Sequence, residues 1–143
     1  MRLRTLPFAL LAGLALLVAG CASGSGGSRN TAGARTVDVD MRDTAYSPDR
    51  LTIRRGETIR FVFRNRGKVA HDAVLGNEKA QAEHEMEMSS GSGMHHGGGD
   101  AVTVDPGRTG TLTHTFRGGD LLIGCHELGH YAAGMKLTVD VMT

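Results

Sequence analysis

Between residues 37 and 141 the apolar residues of this chain recur, run after run, at every second position. Val37, Val39 and Met41 alternate with polar neighbours, and Leu51 and Ile53 repeat the pattern before an Arg55-Gly56-Glu57 turn. Ile59, Phe61 and Phe63 follow, closed by Asn65-Arg66-Gly67, and Leu137, Val139 and Val141 make the last such run. Side chains of a strand point alternately to opposite faces, so each run reads as a strand with one face in a core. Shorter runs lie near Ala70 to Leu75, at Val102 and Val104 before Pro106-Gly107, at Leu112 and Phe116, and from Leu121 to Cys125. Seven or eight short strands between turn signals predict an all-β fold, an antiparallel β-sandwich.

One stretch breaks the pattern. Gly76 to Asp100 forms an insertion with three of the seven His (His84, His95, His96) and three of the seven Met (Met86, Met88, Met94). Glu78, Glu83, Glu85 and Glu87 share it, and it ends near Gly97-Gly98-Gly99. Glu78 to Met88 suits a short helix, and the remainder reads as loop. Insertions of this length in a compact domain are functional or disordered. Imidazole and thioether groups suit copper in either oxidation state, so His84, Met86, Met88, Met94, His95 and His96 are candidates for a second copper site. A solvated loop with no ligand is the competing reading.

The N-terminus reads as an address. Arg2 and Arg4 precede an uncharged apolar run, Leu6 to Ala19, that ends at Val18-Ala19-Gly20-Cys21. The run is too short to span a bilayer, which takes about 20 residues, and suits a secretory signal. It looks like a bacterial lipoprotein signal over residues 1–20, with Cys21 as the lipidated N-terminus. Residues 21–35, rich in Gly and Ser, then form a flexible tether, and residues 36–143 the folded domain. The chain is therefore expected to be exported and lipid-anchored, at the periplasmic or cell-surface face of a bacterial membrane. A formal charge of +1, 4% aromatics and no Trp remove the case for a nucleic-acid partner. With Cys21 lipidated, Cys125 is the one remaining thiol, in an oxidising compartment where a free thiol needs a reason.

The stretch Gly124-Cys125-His126-Glu127-Leu128-Gly129-His130-Tyr131-Ala132-Ala133-Gly134-Met135 supplies one. It offers a thiolate, an imidazole five residues on and a thioether five further, all in one loop. His71, opening the strand after Gly67, is available as a second imidazole. Two His, one Cys and a weak axial Met make a trigonal copper site, whereas zinc takes four strong ligands in a tetrahedron.

This arrangement resembles the cupredoxins, the type 1 blue copper proteins such as plastocyanin, azurin and rusticyanin. The resemblance runs from about residue 36 to 142 and is nearest to small bacterial forms with a His/Met-rich insertion after the first ligand. Tyr46-Ser47-Pro48, Arg55-Gly56-Glu57-Thr58 and His71-Asp72-Ala73-Val74-Leu75 also match. It implies a Greek-key sandwich with copper at one end, held by His71, Cys125, His130 and axial Met135. A single-electron carrier between redox proteins is what the resemblance implies, cycling Cu(I)/Cu(II). The alternative is a periplasmic copper buffer or chaperone that works through the His/Met-rich loop with other copper-handling proteins. No open coordination position and no general base aimed at a substrate is evident, so no enzyme is expected.

Three neighbours stay open. His126 resembles the His beside the Cys of multicopper oxidases, but the paired His-x-His motifs of those enzymes are absent here. Strand alternation turns it away from copper, either to solvent or to a hydrogen bond behind the ligands. His114 sits in the inward register between Leu112 and Phe116 and is expected buried and hydrogen-bonded. Tyr131 is expected to pack or to lie on the rim.

Overall fold

A computed structural model describes residues 33–90 and 97–142. The expected signal, Cys21, and the three insertion residues Met94, His95 and His96 lie outside the described residues. Ten strands and one helix follow in order: β1 (Arg35–Arg42), β2 (Ala45–Ser47), β3 (Arg50–Arg54), β4 (Thr58–Asn65), β5 (His71–Gly76), α1 (Glu78–Ser89), β6 (Gly97–Gly98), β7 (Ala101–Val104), β8 (Thr109–Thr115), β9 (Leu121–Gly124) and β10 (Lys136–Met142). They form two sheets, β2-β1-β4-β8 and β3-β10-β9-β5-β7-β6. The all-β sandwich is as the alternation foretold. The strand count exceeds seven or eight because β2 and β6 are too short to carry an alternation of their own.

The core is built from the alternating residues. Val37, Val39 and Met41 of β1 are buried opposite Phe61, Phe63 and Asn65 of β4, with which they pair. Phe61 stacks on Phe63 with centroids 5.8 Å apart and meets the Phe116 ring edge-on at 6.2 Å. From the other sheet Ile53, Ala73, Leu75, Ile123, Leu137 and Val139 complete the same cluster. Each large apolar side chain taken out of water there contributes about 1.5–3 kcal/mol.

The antiparallel pairing expected of the sandwich holds for most ladders and needs correction at two. β1 pairs with β4 in parallel, and β3 with β10 in parallel, while the remaining ladders are antiparallel. Alternation records which face a residue takes and not the direction of its strand. The chain leaves the first sheet after β2, runs β3 in the second and returns as β4, so β4 re-enters in the direction of β1.

Helix α1 occupies the first half of the insertion, as its composition suggested. Asn77 caps it, its Oδ1 accepting the Ala80 N–H at 2.9 Å, and Glu78 places a negative charge in the first turn. Lys79 pairs with Glu83 one turn on. The helix has no apolar stripe: its two buried residues are Gln81 and His84. Its seat is cut by glycines. A Cβ at Gly76 would lie 2.9 Å from the Ala80 Cβ, and one at Gly124 would lie 2.5 Å from the Gln81 Oε1.

Candidate metal centre

The beginning of β5, the end of β9 and the beginning of β10 meet at one pole of the larger sheet. β9 pairs with β5 and β10 on its two sides, with Gly124 opposite both Val74 and Lys136. His71 opens β5, Cys125 follows Gly124 directly, and Met135 precedes Lys136. Adjacent antiparallel strands therefore carry three of the four residues to the same edge, and the loop between β9 and β10 carries His130.

That loop is closed by its own backbone. The Cys125 N–H donates to the Met135 carbonyl at 3.2 Å, the Met135 N–H to the His130 carbonyl at 3.0 Å, and the His130 N–H to the Glu127 carbonyl at 2.9 Å. Gly129 and Gly134 turn it with φ of 81° and 93°, values that favour glycine. Short bonded turns of this kind fix where the loop side chains start.

The donor atoms converge. Cys125 Sγ lies 3.5 Å from His130 Nδ1 and 3.8 Å from His71 Nδ1, and one ligand atom from each of the three falls within 4.8 Å of the others. First-row metal bonds of about 2.3 Å to sulfur and 2.0 Å to imidazole, set trigonally, separate S and N by about 3.7 Å. His71, Cys125 and Met135 are wholly buried, and His130 is half-buried. Three such donors with a buried thioether beside them fit copper better than a harder ion. Among the described residues this is the one such cluster of His, Cys, Asp and Glu.

Electrostatics prepares the His and holds the thiol in reserve. Burial, then the neighbouring His130, lowers the His71 pKa, so its imidazole is neutral and free to donate a lone pair at physiological pH. Its far nitrogen, Nε2, has the Asp43 carboxylate 3.4 Å away, though not in hydrogen-bond geometry. Burial pushes the Cys125 thiol up to about 12. A cation at the site has to displace that proton.

Residues the alternation did not reveal as functional hold this set in place. Asn65, buried at the inward register of β4, donates from Nδ2 to the carbonyls of Val69 (2.7 Å) and Val104 (2.8 Å) and accepts the Gly67 N–H at 2.8 Å. It read as part of a turn, and a polar residue continuing the Ile59, Phe61, Phe63 register was the signal available. Tyr46 donates its hydroxyl to the Asp72 carbonyl, and the Asp72 N–H donates to Cys125 Sγ at 3.4 Å.

The open neighbours are now placed. His126 is buried, its Nε2 2.7 Å from Gln81 Oε1 and its Nδ1 2.6 Å from Glu85 Oε2, so of its two readings the hydrogen bond holds. Tyr131 packs flat on the His126 ring, centroids 4.6 Å apart. His114 meets expectation in part: it is hydrogen-bonded to Asp100 Oδ1 at 3.2 Å and edge-on to Phe116, but it is only partly buried. The inner face near the end of β8 is filled by Phe116, which leaves the imidazole at the margin. Of the insertion candidates described, His84 is buried, Met88 half-buried and Met86 65% exposed, so α1 does not bring the three to one point.

A sequence model of the cupredoxin-like domain matches residues 9–115. The chain belongs to the cupredoxin-like family. That match ends before Cys125, so the Cys-His-Met loop of this cupredoxin is placed by the structure. The chain is 40% identical over 103 residues to the copper-resistant cuproprotein CopI of Rubrivivax gelatinosus, covering 71% of this chain and 62% of that one. The match thus spans less than two thirds of that relative's length. The CopI protein of Pseudomonas aeruginosa is 32% identical over 137 residues, with 73% of this chain and 76% of that one covered. Among solved structures, reduced auracyanin from Roseiflexus castenholzii aligns with a TM-score of 0.65 and 26% identity, over 78% of this chain and all of that one. Auracyanin A, a blue copper protein of Chloroflexus aurantiacus, aligns with a TM-score of 0.62 at 22% identity and speaks for the fold. This cupredoxin is a copper-binding protein, and its His71, Cys125, His130 and Met135 are grouped as in a type 1 site.

Proposed function

We propose that His71, Cys125 and His130 bind one copper, with Met135 as the axial donor, and that the chain carries single electrons through it. Copper held there supplies a Cu(I)/Cu(II) couple. The observation that carries this reading is the convergence of one buried thiol and two imidazoles, with the Nδ1 atoms of His130 and His71 3.5 and 3.8 Å from Cys125 Sγ. Wholly buried His71, Cys125 and Met135 leave no side open to a substrate, which supports a carrier and not an enzyme. Of the four, His130 alone is not wholly buried, and exposed Leu128 (93% exposed), Ala132 and Ala133 lie within three residues of it in the same loop. Such an apolar rim suits brief docking of a redox protein. The apolar run before Cys21 supports export with a lipid anchor, the tether linking membrane to domain.

A second reading, copper buffering or delivery, has its own support. The relatives are named for copper resistance. In addition, a cleft of about 150 Å³ beside the Cys125 loop is lined by Glu85, Met88 and His126, groups with carboxylate, thioether and imidazole donors. Copper stoichiometry and the rate of loss to a chelator separate the two. A carrier holds one equivalent and releases it slowly; a buffer holds more than one Cu(I) or gives it up readily, with the excess lost when His84, Met86, Met88, Met94, His95 and His96 become Ala.

A further inference from the structure

Helix α1 is tied to the copper loop at two points, His126 and Tyr131, by side chains that no ligand role uses. Gln81 donates from Nε2 to the Val74 carbonyl of β5 at 2.8 Å and to the Leu122 carbonyl of β9 at 3.2 Å. Its amide is thereby oriented, so Oε1 is the atom that faces His126, and the His126 Nε2–H donates to it. Glu85, four residues on and therefore on the same helix face, meets the other ring nitrogen. His126 is the residue after Cys125.

The second point is Tyr131, the residue after His130. Its ring lies on His126 with 18° between planes, its hydroxyl donates to Glu78 Oε2 at 3.3 Å, and the Lys136 ammonium stands 3.9 Å over its face. Gly124 closes the arrangement: a Cβ there would lie 2.5 Å from Gln81 Oε1 and 2.8 Å from Tyr131 Cε2. The helix, the glycine and the two rings fit only as a set.

We infer that His126 is a positioning residue: through Gln81 and Glu85, α1 fixes the backbone at Cys125 and His130 and so sets the thiolate geometry at copper. The inference rests on the type 1 reading and adds that the insertion helix is part of the site's frame. A neutral amide and a carboxylate gripping both nitrogens of one ring define its position more narrowly than apolar packing does, because each bond has a direction. Groups that hold a metal site from behind its ligands are worth about 10–100-fold in metal affinity.

The test uses the full chain loaded with Cu(II), and the same chain without metal. Gln81→Leu and His126→Phe each remove hydrogen bonds while keeping bulk; Glu85→Ala is a half-exposed change that leaves the core intact; Glu85→Gln keeps an acceptor for His126; Glu83→Ala alters the exposed face of α1. The first three should shift the thiolate absorption bands and copper hyperfine splitting and weaken copper binding by about 10–100-fold. In the metal-free chain they should speed amide exchange in residues 126–134. Glu85→Gln and Glu83→Ala should match the unaltered chain. Faster exchange with unchanged bands and affinity overturns the inference, since α1 would then stabilise the loop without setting the copper geometry. Unchanged exchange and unchanged bands overturn it equally. Failure of the underlying reading is distinguishable, because the unaltered chain itself would then lack the band.

Discussion

The Asp72 N–H donates to the sulfur of Cys125 at 3.4 Å, joining the second residue of β5 to the residue that follows β9. The contact binds the strand that carries His71 to the thiol His71 faces. A hydrogen bond to thiolate sulfur withdraws charge from it, and outer contacts of this kind tune a metal site together with its ligands. The Asp72 backbone is itself held, because its carbonyl accepts the Tyr46 hydroxyl and its carboxylate the Thr103 hydroxyl at 2.6 Å.

Met135 is expected to tune potential without being needed for retention. Met135→Leu keeps buried apolar volume and removes the thioether. Copper should remain bound at one equivalent while the reduction potential rises, because a thioether donor to Cu(II) is lost and the weak axial ligand tunes the potential. Protein-film voltammetry reads this directly. A potential equal to that of the unaltered chain would remove Met135 from the coordination sphere.

Asn65 is expected to act on stability and on the His71 side of the site together. Asn65→Ala leaves the Val69 and Val104 carbonyls and the Gly67 N–H without their partner in a buried place. One buried group left unsatisfied costs about 1–3 kcal/mol. Urea denaturation should show a loss of at least that size. A loss under about 0.5 kcal/mol, the range of ordinary surface changes, would mean that water replaces Asn65 freely.

The Cys125 thiol gives a pH dependence whose sign follows from burial. Its pKa rises from 9.0 to about 12 in the folded chain. Below pH 9 folded and unfolded thiols are both protonated and the group contributes nothing to the pH slope. Between 9 and about 12 the unfolded chain ionises first, so metal-free stability falls as pH rises through that window. Cys125→Ser should flatten this part of the curve in thermal unfolding of the metal-free protein. A difference between the two chains that is constant from pH 8 to about 12 would contradict the burial argument.

The sandwich could be read from the sequence because its cores are one-sided: Val37, Val39, Ile59, Phe61 and Leu137 face inward by strict alternation. The ligand loop was legible for a different reason. Cys125, His130 and Met135 share one short connection, so their meeting requires little knowledge of the fold. Strand direction was not legible, since Val39 faces inward whether β1 runs with β4 or against it. The role of α1 was also hidden. A helix seated through Gln81 and His84 over Gly76 and Gly124 has no apolar stripe to announce which face is buried. Asn65 was obscured by its place beside Gly67, where a turn accounts for it equally well.

The central claim is that Cys125 binds copper as a thiolate together with His71 and His130. The visible absorption spectrum of the Cu(II)-loaded protein, compared with that of Cys125→Ser, tests it most directly. An intense sulfur-to-copper charge-transfer band, blue or green, is expected at one copper per chain, with no such band in the serine variant. A colourless copper-loaded protein, or a serine variant that keeps the band, would contradict it.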